Sequence, residues 1–375
     1  MSDNGESFFP SKPVSKWLFA LLRCVLADQE QEASLFAGME PKDWRKLMAL
    51  SGQQGVTALC LDALEQCAIR PDHDLLLEWV GLLFSNESNY TLHLNAIKKL
   101  SAFFHERQMK MVLLKGYGLS LNYPHPNHRP MGDIDLFHCG QGERADRLVS
   151  DQLGIDIKQN EEKHSTYTFE GVHVENHATI ICELEHSSLY SIERFLEDEL
   201  KNHSLYDETS GCMLPSATFN AVYLPLHFGG HFVFGGANLR QVVDYALMVK
   251  KNYQSIDWNH VKQLAEDGGF FRFLCCLNGI CMDQLGSSAS YFPEWERETG
   301  LQTKVFDDIL MPQPIAATSI LGRAKRYFAN RWKFKLVFGK ESHLKGFFLR
   351  LRSWLIWKWG FGRKSVWKKR ENKLS

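Results

Sequence analysis

Apolar positions recur at close to helical spacing through the first hundred residues. In KDWRKLMALSGQQGVTALCLDALEQ, Trp44, Leu47, Met48 and Leu50 form one group, and Val56, Leu59, Leu61 and Leu64 form a second. Each group predicts a helix with one buried face, and Gly55 predicts the break between them. A longer helical pattern runs from about Leu75 through NYTLHLNAIKKLSAFFHERQ. The period changes at Met109. KMVLLKG is a short apolar run closed by glycine, the pattern of a buried strand. GDIDLFHC alternates, with Ile134 and Leu136 on one face and Asp133 and Asp135 on the other. ERADRLVSDQLG is helical again, with Gly154 suited to its C-terminus. STYTFEG and VHVENHATI read as a hairpin turning at Glu170-Gly171. From about Ser191 the helical period returns. PSATFNAVYLPLHFGGHFVFGGANLRQVVDYALMVKK predicts two helices separated by Gly235-Gly236. DWNHVKQLAEDGGFFRFLCCLNGICMDQLG predicts two more, the first capped by Asp257.

These periods describe an α+β chain in four segments: helices over 1–108, a small mixed α/β unit over 109–190, helices over 191–310, and a tail over 311–375. The 375 residues, 44% hydrophobic and 23% charged, suffice for two or three domains with a sizeable core. No run of eighteen apolar residues predicts a transmembrane helix, and MSDNGESFFPSKPVSKW lacks the basic and apolar regions of a secretory signal. Nine cysteines without a CxxC pair suggest reduced thiols in a cytoplasmic protein.

The net charge of -1 conceals an asymmetry. From Arg323 onward there are 17 Lys/Arg and two acids, against 26 basic and 42 acidic residues before it, and five of the ten tryptophans lie in that tail. Within it, HLKGFFLRLRSWLIWKWGF has the basic, Trp-rich character of a helix at a membrane surface, here the inner membrane surface. Cations interleaved with aromatics also suit single-stranded nucleic acid, and a third reading is a helix packed on the acidic body.

The candidate chemistry is concentrated in LLKGYGLSLNYPHPNHRPMGDIDLF. Two carboxylates on one strand face repel unless a cation neutralises them. Oxygen ligands shared with phosphates are what Mg²⁺ takes. Gly116 lets backbone approach a phosphate closely, and Lys115 and Arg129 supply positive charge to a polyphosphate. Further along, alternation puts His173, Glu175 and His177 on one strand face. His227 and His231, four apart on a helix, are spaced to share a zinc ion, with packing or substrate contact as the plainer reading. Arg240 and Asp244 are spaced for an i,i+4 ion pair.

Taken together, this stretch resembles the nucleotidyltransferase superfamily built on the DNA polymerase beta-like fold. Within it, the chain is most similar to an uncharacterised nucleotidyltransferase family of bacteria. Lys115-Gly116, Tyr123, Arg129 and Asp133-Ile134-Asp135-Leu136 follow that family's order, as do Glu175-Asn176-His177, His227-x-x-x-His231 and Leu239-Arg240-x-x-x-Asp244. The likeness spans roughly residues 40 to 290. The turn departs from better-characterised members, which carry Gly-Ser or Gly-Gly where this chain has Gly116-Tyr117, although some toxin-like members share the Lys-Gly. Ser120 lies one turn further on. The resemblance implies a small mixed-sheet nucleotidyltransferase core between helical segments. It implies Mg²⁺ (or Mn²⁺) held by Asp133, Asp135 and Glu175, and an NTP, ATP first, held by Lys115, Gly116, Ser120, Arg129 and Gly132. His177, His227, His231, Arg240 and Asp244 are left to the acceptor or to support. Two alternatives stay open: a toxin-like enzyme modifying tRNA or protein, and a non-catalytic scaffold bound to a membrane or a partner.

Overall fold

The computed structural model describes residues 12–27, 33–67, 69–159, 164–181, 187–234, 236–311 and 328–340. Helices α1 (Lys12–Ala27), α2 (Pro41–Gln53) and α3 (Thr57–Gln66) lead into the long α4 (His73–His105). Gly55 divides α2 from α3 at φ +68°, a conformation that favours glycine. α2 begins with Pro41 behind a capping box of Glu40 and Asp43. α4 begins where the Asp72 carboxylate accepts from the Leu75 amide at 3.1 Å.

A seven-stranded mixed sheet follows. Its strands are β1 (Val112–Leu113), β2 (Ile134–Phe137), β3 (Lys158–Gln159), β4 (His164–Phe169), β5 (Val172–His177), β6 (Leu205–Asp207) and β7 (Cys212–Leu214), in the order β3-β4-β5-β2-β1-β7-β6. β2 runs parallel to β5 and β1 parallel to β7; the other pairings are antiparallel. Glu170 and Gly171 both take positive φ at the β4–β5 turn, as a two-residue hairpin of matching twist requires. The short α5 (Tyr117–Ser120) follows β1, and α6 (Gly142–Leu153), ended by left-handed Gly154, follows β2. β6 and β7 lie between α7 (Ser187–Asn202) and α8 (Ala217–Phe234). The region expected to be helical after residue 190 therefore also supplies two strands. Its hairpin, LYDETSGCML, is short and weakly apolar, so its strand signal is faint beside the helices that flank it.

The two sheet faces meet different cores. Leu113, Ile134, Leu136 and Val174 pack with Ala96, Ile97, Leu100 and Phe104 of α4 and Ala145 and Val149 of α6. Val112, Leu114 and Phe137 join the larger core made by α1 to α3 and by α8, α9 (Leu239–Asn252), α10 (Trp258–Gly268), α11 (Phe271–Asp283) and α12 (Thr299–Leu310). Asp257 caps α10, accepting from the His260 amide at 3.0 Å. The alternation of β2 thus turns Ile134 and Leu136 toward α4, and Asp135 with Phe137 toward the later helices.

Of the basic tail, residues 328–340 are described. α13 (Arg331–Val337) buries Phe334, Leu336 and Val337 against the body. Val337 seats over Gly229 of α8 so closely that a Cβ there would come within 2.5 Å of its Cγ1. Lys333 pairs with Asp308 of α12, and Trp332 meets Phe232 edge-on. HLKGFFLRLRSWLIWKWGF lies outside the described residues. Among those described, no helix is long and apolar enough to cross a membrane.

One buried group gives the fold an acid-sensitive point. His138, just past β2, donates Nδ1–H to the Lys110 carbonyl at 3.0 Å and packs its ring on Phe104. Its Nε2 has no hydrogen-bond partner among the described residues. Burial pushes its pKa down to about 4. Below the ordinary histidine value the unfolded chain then binds a proton that the folded one refuses, so stability falls as pH falls. This group contributes about 3 kcal/mol of loss between roughly pH 6.5 and 4. In urea unfolding at pH 7 and pH 4.5, His138→Phe is expected to narrow the gap between the two stabilities. An unchanged gap would show that another group governs it.

Candidate active site

Strand register assembles the site. β2 and β5 are parallel neighbours with Asp135 opposite Glu175, and β4 sets His164 opposite His177 and Thr166 opposite Glu175. Side chains in register on adjacent strands share a face, so two acids and two imidazoles meet. His177 Nε2 lies 3.0 Å from Asp135 Oδ1 and 3.4 Å from Glu175 Oε2, and His164 Nε2 lies 3.4 Å from Glu175 Oε1. From the other side, the Leu114 amide donates to the Asp135 carbonyl at 3.1 Å, bringing Lys115 Nζ within 2.9 Å of Asp135 Oδ1. Gly116 makes the turn after it at φ +70°, where the backbone rather than crowding calls for glycine.

The charges follow from these contacts. Burial opposes ionisation of Asp135, which is 3% exposed, yet Lys115 and the hydrogen bond from His177 prevail and hold it well below the ordinary carboxylate range. Burial likewise opposes the charged form of Glu175, but His177 and His164 keep its pKa below the usual value despite repulsion from Asp135. Asp133 moves the other way: desolvation beside the sheet, then the charges of Glu175 and Asp135, raise it. Asp135 and Glu175, with Asp133 close enough to feel both charges, offer carboxylate oxygens of the kind a hard divalent cation takes.

A family described as "uncharacterised nucleotidyltransferase" matches residues 40–286, which take in α2 through α11 and every strand of the sheet. The chain belongs to this family. No curated protein and no solved structure matches it.

In this nucleotidyltransferase-family chain the loop before β2 is fastened at many points. From α4, Asn86 donates to the Asn127 carbonyl at 2.8 Å and Asn89 to that of Met131 at 3.1 Å, and His93 Nε2 lies 2.5 Å from the Gly132 carbonyl oxygen. His128 sits between Asp62 and Glu87, at 2.9 and 3.3 Å. Arg129, 3% exposed, makes a fork to Asp244 of α9, Nε to Oδ1 at 2.8 Å and Nη2 to Oδ2 at 2.9 Å, and the Tyr123 hydroxyl adds a bond to Oδ1 at 2.8 Å. Such a fork fixes direction as well as distance.

Several of the residues expected at the nucleotide are engaged within the fold. The Arg129 guanidinium is engaged by Asp244, so it ties the loop to α9. Asp244 takes its partner from 115 residues away rather than from Arg240, its i,i+4 neighbour. Among the described residues Arg240 makes no side-chain hydrogen bond or ion pair; its stem lies over Gly55, and burial and the nearby Arg129 lower its pKa. Ser120 is fully buried, its hydroxyl donating to the Tyr117 carbonyl at 2.6 Å within α5. Tyr117, at the position where related turns carry a small residue, points into the α4-side core and donates to Asp207 of β6 at 3.0 Å. Asp133 and Gly132 are exposed just ahead of β2.

Lys115 and α8 extend the network. Lys115 Nζ lies 3.4 Å from His227 Nε2, and His231 Nε2 lies 3.1 Å from that same atom. Burial, then Lys115 and His231, press His227 well below the usual histidine pKa, so it is the neutral acceptor beside the lysine. The spacing that suggested a zinc pair thus leads from the lysine toward the exposed His231. His164 was missed in the sequence. Its place depends on pairing across the β4–β5 hairpin, and only the period-2 pattern on both sides of Glu170-Gly171 offered a signal.

Proposed function

We propose that this chain transfers an NMP group from an NTP, ATP first, to a hydroxyl acceptor, with Mg²⁺ or Mn²⁺ held by Asp133, Asp135 and Glu175. The observation that carries the reading is the register of Asp135 on Glu175 with Lys115 alongside, three charged groups brought to one sheet face within a nucleotidyltransferase family. When bound, the cation supplies charge compensation for phosphate oxygens and a Lewis acid at the reacting phosphorus. Lys115 then exchanges part of its pairing with Asp135 for phosphate. Arg240, uncommitted among the described side chains, supplies the second cation in place of Arg129. The Gly116 turn leaves the backbone approachable on the phosphate side. Among the helices after residue 190, α8 sets His227 beside Lys115, which supports a role for it on the acceptor side, while Asp244 of α9 supports the site by holding the Arg129 loop. A cytoplasmic location, where NTPs are abundant, belongs to the same reading.

The test is incubation of the purified full chain with α-³²P-labelled NTPs, Mg²⁺ or Mn²⁺ and cell extract, followed by separation of RNA, protein, lipid and sugar. Label is expected in one of these classes and is expected to disappear with EDTA. No incorporation from any of the four nucleotides with either metal would overturn the reading.

A further inference from the structure

We propose that His164, Glu175 and His177 form a binding site for a borderline transition-metal dication of the Zn²⁺ or Co²⁺ kind, adjoining the carboxylates assigned above to the hard cation. The inference rests on the nucleotidyltransferase reading only in sharing Glu175 with it. One ligand atom from each of the three residues lies within 4.8 Å of the others. The two imidazoles address different oxygens of one carboxylate, His164 Nε2 toward Oε1 and His177 Nε2 toward Oε2, both at 3.4 Å. Their rings stand 5.3 Å apart, so the three groups converge on one volume.

Backbone pairing fixes this arrangement. His164 and His177 are directly opposed across β4 and β5, and Glu175 is two residues along the same face. The environment is shielded: the side chain of His177 is 3% exposed, that of His164 13% and that of Glu175 19%. Two imidazole nitrogens and one carboxylate oxygen are a poor set for Mg²⁺, which prefers oxygen in octahedral array, and a good one for Zn²⁺ or Co²⁺ with a position left open.

The site is coupled to the carboxylates through His177, whose Nε2 also lies 3.0 Å from Asp135 Oδ1. A metal on Nε2 takes that nitrogen's lone pair, the ring proton passing to Nδ1, and ends the hydrogen bond to Asp135, which leaves Asp135 Oδ1 to Lys115 and to the hard cation.

The experiment uses metal-stripped full-length protein titrated with Co²⁺ in the absence of nucleotide, read by visible ligand-field absorption, and with Zn²⁺ by calorimetry. Wild type is expected to take one Co²⁺ with nitrogen-ligand bands and to bind Zn²⁺ far more tightly than Mg²⁺. His164→Ala is expected to weaken both by about 100-fold while its circular dichroism and urea midpoint stay near wild type. His164→Gln serves as the second variant if the alanine form fails to fold. His231→Ala is expected to leave binding unchanged, since α8 carries the other imidazole pair. Binding insensitive to His164, or lost in His231→Ala, would overturn the assignment, as would Zn²⁺ affinity no greater than that for Mg²⁺. The label-transfer assay separates the two claims: Co²⁺ binding without label transfer refutes only the nucleotidyl reading. Label transfer without Co²⁺ binding refutes only this site.

Discussion

Asp244→Ala is expected to destabilise the protein by about 3–5 kcal/mol, the range for breaking a buried ion pair by removing one partner. Asp244 is 4% exposed and receives three hydrogen bonds, two from Arg129 and one from the Tyr123 hydroxyl. Its removal leaves Arg129 charged and 3% exposed with no carboxylate to meet it, and Arg240 nearby adds a second positive charge to the same pocket. The penalty comes from the stranded guanidinium rather than from any large intrinsic worth of the pair. Asp244→Leu combined with Arg129→Met is accordingly expected to recover most of the loss, because it removes both charges and retains bulk. Urea unfolding of the two variants decides the matter. A loss below about 1 kcal/mol for Asp244→Ala would mean that the fork is solvated and does not fasten the loop.

Asp135→Asn is expected to lower label incorporation from an NTP on the order of 10³-fold or more, several kcal/mol of lost charge stabilisation at the phosphates, while the fold persists. The substitution keeps the shape of the side chain and an oxygen for the His177 and Lys115 contacts, but it removes the charge that draws a cation to this face. Comparing incorporation with unfolding midpoints separates chemistry from folding. Undiminished incorporation by a well-folded Asp135→Asn protein would sink the assignment of this carboxylate. Weaker Mg²⁺-dependent NTP binding in the same variant would tie the loss to the cation.

The helical breaks at Gly55 and Gly154, the Asp257 cap and the turn at Glu170-Gly171 were legible because each depends on a few neighbouring residues. The pairing of Asp133 and Asp135 on one strand was legible only in part. The strand begins at Ile134, so Asp135 is buried in the sheet while Asp133 stands in the exposed approach to it. The i,i+4 rule correctly put Arg240 and Asp244 on one helix face, but a forked contact from a buried arginine far away in sequence outcompetes a helix-surface pair worth a few tenths of a kcal/mol. His164 was marked only by the period-2 pattern of its hairpin, and the α4 residues that hold the β2 loop carry no local mark at all. Asn86, Asn89 and His93 read as ordinary polar positions on a long helix until the loop is laid against them.

The pairing of β1 with β7 has a consequence for how this chain is made. Val112 leaves the ribosome 101 residues before its partner Met213. At roughly 5–20 residues per second, β1 waits on the order of 5–20 s with one edge open. During that interval the sheet ends in an apolar strand with one edge unpaired, a template for pairing with another chain. The nascent protein is thus most exposed to misassembly until β7 has been made and has emerged to cover that edge.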